Sequence, residues 1–170
     1  GIEQSFDGGH NSMVSCIAYS HSSNYILTGD VTGRAVMWTS LGEPTEKVWN
    51  VGSHVEACEF DVNDERVALL SSDGALSTWL FAGGALNDIQ LQGATDLKWS
   101  NDGDKIHVLE TGDSPRILTL TASSLNESTS IYVAHQVLDL AIVENQFGIR
   151  EKAFVATDTS HIAIYAAAQT

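Results

Sequence analysis

Apolar residues in this chain fall in short runs, and the same succession of runs returns four times. Each repeat ends on a similar run of five residues, and these runs close at Trp38, Trp79, Leu120 and Tyr165. The closing positions lie 41, 41 and 45 residues apart. A regular period of this length, made of strand-like units, predicts an architecture in which each repeat is one supersecondary unit.

Two further strand-like runs precede the closing run of each repeat. In the first of them, apolar residues stand two positions apart, as the buried face of a strand requires. The equivalent pairs are Ile17/Tyr19, Cys58/Phe60, Leu97/Trp99 and Leu140/Ile142. The second run is more continuously apolar, which predicts burial on both faces. Turn-forming residues such as Ser72-Asp73-Gly74 separate the runs.

A fourth run falls between consecutive repeats. It occupies residues 47–51, 87–91 and 130–133, and residues 3–6 stand in the same place before the first repeat. No segment of the sequence has a persuasive helical period. Four strands per repeat, in four repeats, predict about sixteen strands in an all-β protein.

We interpret the chain as a β-propeller or a propeller fragment with four blades of four antiparallel strands. The whole chain, residues 1–170, is then a single propeller unit. Its blades span approximately residues 7–51, 52–92, 93–134 and 135–170, and residues 2–6 form the outer strand of the last blade. An open arc of four blades would leave apolar strands exposed at its ends. The chain is therefore a fragment, a ring completed by another chain, or a small closed ring.

At the ends of its repeats the sequence resembles the WD-repeat β-propeller family. In that family a repeat opens near Gly-His and closes near Trp-Asp. Here Gly9-His10 opens the first repeat and Trp38-Thr39 closes it, while Gly52-Ser53-His54 opens the second and Trp79-Leu80 closes it. The third repeat opens without a histidine, and none of the four closings carries Trp-Asp itself. The resemblance covers nearly the whole chain.

The resemblance implies a hydrogen-bond network of His, Ser or Thr, Asp and Trp inside a blade. The second repeat matches this pattern best, with His54, Ser71 or Ser72, Asp73 and Trp79. In the first repeat His10, Thr28 and Trp38 fit, but Thr32 occupies the position of the aspartate. We therefore expect at most one complete network, in the second blade.

Loops on a rigid scaffold tend to carry recognition, and propeller blades expose loops on two faces. The candidate interaction face contains His10, Asp30, Asp73, Asp113 and Asp158. Acidic corners that recur around a ring favour a basic peptide or protein surface. The alternative is that each turn aspartate only accepts hydrogen bonds from backbone N–H groups of its own turn.

Charge limits the classes of partner. The 170 residues are 43% hydrophobic and 18% charged, which is a globular composition, and 22 acidic against 8 basic residues give a net charge of −14. An acidic surface repels phosphate, so we expect no direct nucleic-acid partner, whereas basic proteins are favoured. No apolar run approaches ~18 residues, so no membrane span is predicted.

Candidate catalytic and metal chemistry is sparse. Cys16 and Cys58 lie 42 residues apart, which suggests neither a disulfide scaffold nor a zinc site and favours a reducing, intracellular compartment, cytoplasmic or nuclear. The sequence has no His-Glu-x-x-His, Cys-x-x-Cys or Gly-x-Ser-x-Gly motif. We therefore predict no cofactor, no metal and no catalytic residue.

These observations lead to three functional hypotheses. The first is a non-catalytic protein–protein interaction scaffold, a subunit of a larger intracellular complex. The second is a structural half-ring that a partner chain or its own copy completes. The third is a ligand-binding or hydrolytic propeller with its site in a central channel, which would need polar side chains converging at the channel mouth.

Overall fold

The computed structural model describes residues 5–133, 137–144, 151–157 and 162–166, and every regular element in these ranges is a β-strand. The first sheet consists of β1 (Val14–Tyr19), β2 (Tyr25–Asp30), β3 (Arg34–Thr39) and β4 (Pro44–Asn50). The second consists of β5 (Val55–Phe60), β6 (Arg66–Ser71), β7 (Ala75–Leu80) and β8 (Ala85–Gln90). The third consists of β9 (Ala94–Trp99), β10 (Lys105–Glu110), β11 (Arg116–Thr121) and β12 (Glu127–Tyr132). The fourth consists of β13 (Val137–Glu144), β14 (Glu151–Thr157) and β15 (Ile162–Ala166).

Each sheet is an antiparallel meander in which strands that are consecutive in sequence are hydrogen-bonded neighbours. This confirms the all-β prediction. The predicted outer strand of the last blade, residues 2–6, lies mostly outside the described residues. Ser5 and Phe6, which are described, are not in a strand.

The outer strands begin earlier than their apolar residues predict. The strand expected at residues 47–51 runs from Pro44 to Asn50, and the one expected at 87–91 runs from Ala85 to Gln90. Tight turns explain the difference: Gly42 adopts a φ of 90°, and the N–H of Thr39 donates to the carbonyl of Glu43. Pairing therefore resumes directly after the turn, which adds Pro44, Thr45 and Glu46 to the first outer strand, and the second gains Ala85 and Leu86.

By internal packing the chain divides into two compact units, residues 1–91 and 92–170. In the first unit the first and second sheets share a core. Its buried members are Leu27, Ala35, Met37 and Trp49 from the first sheet, and Val55, Cys58, Phe60, Val67 and Leu69 from the second. The first strand of the second sheet, β5, thus covers one face of the first sheet.

The second unit has its own core. Leu109 and Ile117 of the third sheet pack with Val133, and with Val137 and Leu140 from β13. All five side chains are at least 95% buried. The first strand of the fourth sheet therefore covers the third sheet as β5 covers the first sheet in the other unit.

A buried polar residue closes the first hairpin of three sheets. Ser20, Asp61 and Ser100 each follow the first strand, and each is at most 3% exposed. Their side-chain oxygens accept hydrogen bonds from the backbone N–H groups of Tyr25, Arg66 and Lys105, at 2.9–3.0 Å. We call these three residues the hairpin caps. They satisfy the backbone where the second strand begins.

Cys16 and Cys58 form a disulfide, which corrects the interpretation of the sequence. Their Cα atoms are 6.0 Å apart, within the usual range for a disulfide. The cause is sheet stacking: β1 and β5 lie side by side in the first unit, so residues 42 positions apart in sequence come into contact. Because the two cysteines are bonded to each other, they no longer support an intracellular location, which stays a prediction.

Candidate functional site

Four side chains of the first blade form a continuous hydrogen-bond network, which we call the first-blade network. His10 Nδ1 lies 2.7 Å from Asp30 Oδ2, and His10 Nε2 lies 2.6 Å from Thr28 Oγ1. Trp38 Nε1 donates to the same Thr28 oxygen at 2.7 Å. Residues from the opening loop, from β2 and from β3 are thereby joined.

Donor capacity fixes the two ends of this network. The indole N–H of Trp38 only donates, and the ionised carboxylate of Asp30 only accepts. Thr28 Oγ1 accepts from Trp38 and has the Val36 carbonyl at 3.3 Å as an acceptor for its own proton. The two ring nitrogens of His10 face Asp30 and Thr28. Every buried polar atom in the chain of bonds then has a partner, which avoids the cost of a buried unsatisfied group.

Asp30 also fixes the turn between β2 and β3. Its Oδ1 accepts from the N–H and the hydroxyl of Thr32, at 2.9 and 2.6 Å, and from the N–H of Arg34 at 3.1 Å. Burial raises the pKa of this carboxyl, but the hydrogen bonds from Thr32, His10 and Arg34 outweigh burial and lower the pKa to about 2. The carboxylate is therefore ionised at neutral pH.

Side-chain packing holds the opening loop in addition to its hydrogen bonds. Phe6 meets the Trp38 ring edge-on, with ring centroids 5.5 Å apart. A Cβ at Gly9 would lie 2.3 Å from two carbon atoms of that ring, so only glycine fits there. Arg34 Nε donates to the Gly9 carbonyl at 2.8 Å. Residues 6–10 are thus anchored to β3.

The predicted second-blade network takes a different form. Ser71 Oγ does donate to Asp73 Oδ1, at 2.5 Å. Trp79 Nε1, however, donates to Ser77 at 3.0 Å, and His54 lies 3.8 Å from Glu56 with its side chain 38% exposed. The structure joins two of the four predicted residues and gives the other two different partners.

Strand register explains this correction. Thr28 pairs with Val36, two residues before Trp38, and the residue in the same register of the second blade is Leu69, paired with Ser77. Leu69 is fully buried and carries no hydroxyl to link a histidine to a tryptophan. The third blade has Val108 at this position, also fully buried.

The first-blade aspartate was missed because the family spacing points to Thr32. The structure uses Asp30, two residues earlier, and Thr32 becomes one of its donors. A signal was present in the sequence: Thr28, Gly29 and Asp30 occur together with His10 and Trp38, which is a full set of residue types with one member displaced.

The predicted interaction face separates into buried and exposed members. Asp30 is 1% exposed and the His10 side chain 7%, so the first-blade network occupies both. Asp73 and Asp113 are exposed, in the connections β6–β7 and β10–β11. Hydrogen bonds from Ser71 and Ser53 lower the pKa of Asp73. Asp158 lies outside the described residues.

A second carboxylate links two turns of the first unit. Asp64, between β5 and β6, accepts from the backbone N–H groups of His21 and Ser22 at 2.7 and 2.8 Å. Burial raises the pKa of Asp64, and the hydrogen bonds from Ser22 and His21 together outweigh burial and lower the pKa. The bonds hold the β1–β2 turn against the β5–β6 turn.

The described residues contain neither a cluster of metal-ligand residue types nor a long apolar helix. No group of three or more His, Cys, Asp or Glu side chains there is placed to hold a metal ion. Those residues also include no helix long and apolar enough to cross a membrane.

Comparison with known proteins gives structural likenesses only. No family model matches the sequence, and no curated protein does. The C-terminal WD40 domain of Sif2 matches with a TM-score of 0.73 at 19% identity, over 89% of this chain and 42% of that chain. The β-propeller domain of Cps50 (Swd1) from Myceliophteria thermophila gives 0.69 at 14%, over 93% and 58%. Hydrazine synthase from Kuenenia stuttgartiensis gives 0.68 at 10%, over 86% and 45%.

The chain spans about half the length of these solved structures. At identities below 20% the likeness concerns the fold and carries no activity with it. The described residues form fifteen strands in consecutive antiparallel sheets, which agrees with that likeness. The chain therefore has the fold of a β-propeller or of part of one, and WD40 propeller domains are among its structural neighbours.

Proposed function

We propose that this protein is a non-catalytic scaffold that binds other proteins, as a subunit of a larger complex. The observation that carries the proposal is the first-blade network. It uses His10, Thr28 and Asp30, the residue types a hydrolytic site would need, to hold a loop and a turn in place. A rigid sheet with fixed loops is suited to presenting a surface.

The exposed acidic turns are the proposed contact points. Asp73 is exposed, and its lowered pKa keeps it ionised at neutral pH. Asp113 is exposed in the corresponding connection of the third sheet. A net charge of −14 raises the local concentration of basic segments around the whole protein. We therefore assign a basic peptide or protein surface as the class of partner.

A peptide titration tests the proposal. The probe is a fluorescein-labelled peptide of alternating Lys and Ser, with a Glu–Ser peptide of equal length as its counterpart, and binding to the full chain is followed by anisotropy. We expect the lysine peptide to bind and the glutamate peptide not to bind. Binding should weaken as salt is raised, because exposed charges are screened over ~10 Å at 0.1 M.

Two variants localise the contact. Asp73→Asn and Asp113→Asn each remove one charge, and the amide oxygen at residue 73 still accepts from Ser71. Each substitution should weaken the binding of the lysine peptide by about 2- to 5-fold, which is the usual effect of losing one exposed ion pair. Asp88→Asn, an exposed position on β8, is the matched control and should change nothing. Equal effects of all three variants, or no binding at all, would contradict the proposal.

A further inference from the structure

Asn126 begins an Asn-x-Ser triplet, Asn126-Glu127-Ser128, whose middle residue is not proline. No other asparagine of the sequence begins a triplet of this form. Such a triplet is an acceptor for N-linked glycosylation, which attaches a bulky, hydrophilic group to a surface segment of a secreted protein. The pattern is short and occurs by chance, so its place in the fold decides whether it can serve as a site.

The triplet lies at the turn between β11 and β12, where Asn126 is exposed. The preceding Leu125 is 1% exposed and anchors the turn. The Thr121 N–H donates to the Asn126 carbonyl at 2.9 Å, and the Leu125 N–H donates to the Thr121 carbonyl at 2.8 Å. The backbone of the turn is therefore fixed, while the side-chain amide of Asn126 is presented to solvent.

The conformation of the turn does not explain an asparagine at this position. Asparagine is common in turns because it tolerates a positive φ. Here the residue with a positive φ, of 55°, is Leu125 and not Asn126. In the first and second sheets the carbonyl that closes the corresponding turn belongs to Glu43 and Gly84. The turn therefore forms with other residue types, and the amide of Asn126 is available for another role.

The strand that follows the turn leaves room for a large group. β12 is the last strand of the third sheet and pairs with β11 on one side only. The register shifts between Thr119 and Leu120, so Ser128 has no partner in the ladder, although its hydroxyl donates to the Thr119 carbonyl at 3.0 Å. Residues 127–129 are exposed. A group attached at Asn126 therefore lies in solvent beside an open strand edge.

The disulfide between Cys16 and Cys58 is an independent observation about the compartment. Disulfides form and persist in oxidising compartments, such as the lumen of the endoplasmic reticulum and the extracellular space, and are rare in the cytosol and the nucleus. Proteins that follow this secretory route are the ones that receive glycans at exposed Asn-x-Ser triplets. The disulfide and the exposed acceptor therefore indicate the same compartment.

We infer that Asn126 carries an N-linked glycan, attached while the chain passes through an oxidising, secretory compartment. The donor is an oligosaccharide whose C1 is joined to a lipid diphosphate. A bond forms between Asn126 Nδ2 and C1, and the bond from C1 to the diphosphate oxygen breaks. The lipid diphosphate leaves with that oxygen, the amide nitrogen loses one proton, and nothing is oxidised or reduced. The inference opposes the intracellular location predicted from the sequence.

Mass spectrometry of the full chain purified from its source organism tests the inference. The peptide that contains Asn126 is measured before and after an amidase that releases N-linked glycans. We expect the peptide to carry the mass of a glycan, and the amidase to remove it and convert residue 126 to aspartate. A source protein in which this peptide is found only unmodified would overturn the inference. The readout is a covalent mass, so it can fail separately from the lysine-peptide binding described above.

Variants of the full chain, secreted from a eukaryotic cell line behind an added leader, assign the site. Asn126→Gln and Ser128→Ala each break the triplet and should abolish the mobility shift that the amidase removes from the wild-type chain. Ser128→Thr keeps the triplet and should keep the shift. Asn101→Gln is the matched control, because Asn101 is exposed in the β9–β10 turn and begins no such triplet.

The control should be glycosylated like the wild-type chain, and near-ultraviolet circular dichroism checks that each variant is folded. A folded, secreted wild-type chain that carries no glycan would overturn the inference. A shift that persists in Asn126→Gln would do the same, because the glycan would then be attached elsewhere.

Discussion

Asp30 Oδ2 and His10 Nδ1 lie 2.7 Å apart although twenty residues separate them in sequence, and Asp30 is 1% exposed. This bond connects the opening loop to the end of β2. Through its other oxygen, Asp30 holds the β2–β3 turn as well. One carboxylate therefore sets the positions of two connections at the same end of the first blade.

The lowered pKa of Asp30 predicts a loss of stability in acid. The carboxyl has a pKa of about 2 in the folded protein against 3.8 as the ordinary value. Its contribution is therefore present in full above pH ~4 and is lost as the pH falls towards 2. The difference corresponds to about 2 kcal/mol. Urea unfolding at pH 7 and near pH 2.5 should show a fall in stability that is smaller in Asp30→Asn by about 2 kcal/mol, because the other carboxyls with lowered pKa values are unchanged in that variant. Parallel curves for the two proteins would contradict the assignment.

Thr28→Val tests the centre of the first-blade network. Valine keeps the shape of threonine but leaves Trp38 Nε1 without an acceptor and His10 Nε2 without a partner. We expect a loss of about 2–4 kcal/mol in the free energy of unfolding, measured with denaturant. Thr78→Val is the control, because Thr78 is also buried and its side chain makes a long bond of 3.4 Å to the Asn87 carbonyl. The control should lose under ~1.5 kcal/mol. A similar loss in both variants would show that the first-blade network contributes no more to stability than one long hydrogen bond.

Because of the disulfide, we expect reductant to lower the stability of the protein against urea. It closes a loop of 42 residues, for which the chain-entropy account gives about 4 kcal/mol of stabilisation. Adding dithiothreitol should lower the urea midpoint of the wild-type protein. A double variant, Cys16→Ala with Cys58→Ala, should already have the lower midpoint and should not respond to dithiothreitol. A wild-type midpoint that is insensitive to reductant, with the thiols shown to be free, would disprove the expected effect.

The first and second sheets are in close contact at Gly29. A Cβ at this position would lie 2.6 Å from Val55 Cβ and 2.7 Å from Cys16 Sγ. Gly29→Ala should therefore cost about 1–3 kcal/mol through overpacking. Gly52→Ala is the comparison: its φ of 85° is strained for alanine, but a Cβ there meets nothing within 4 Å. If Gly29→Ala proved neutral in thermal unfolding, the sheets would be further apart than described.

The repeat was predictable because its signal is local. Period-2 alternation in runs such as Val55–Phe60 and turn residues such as Ser72–Gly74 depend only on neighbours in sequence, and the structure places strands and turns there. The predicted start of β4 was less accurate, since the first residues of this strand carry no hydrophobic signal.

Contacts across strands and sheets were harder to predict. The choice of Asp30 over Thr32, and the failure of Leu69 to replace Thr28, depend on which residues lie opposite one another in a sheet. The Cys16–Cys58 bond depends on the stacking of two sheets. A spacing rule carries neither kind of information, because it counts residues along the chain and not distances between strands.

The hairpin caps Ser20, Asp61 and Ser100 have a consequence for how the protein folds. Each cap is satisfied by a residue five positions further along, so the first hairpin of a blade can complete its hydrogen bonds before any other blade exists. Local contacts form faster than distant ones because closing a short loop costs less entropy. We expect the hairpins to form early and independently, and the inter-sheet bond between Cys16 and Cys58 to form late.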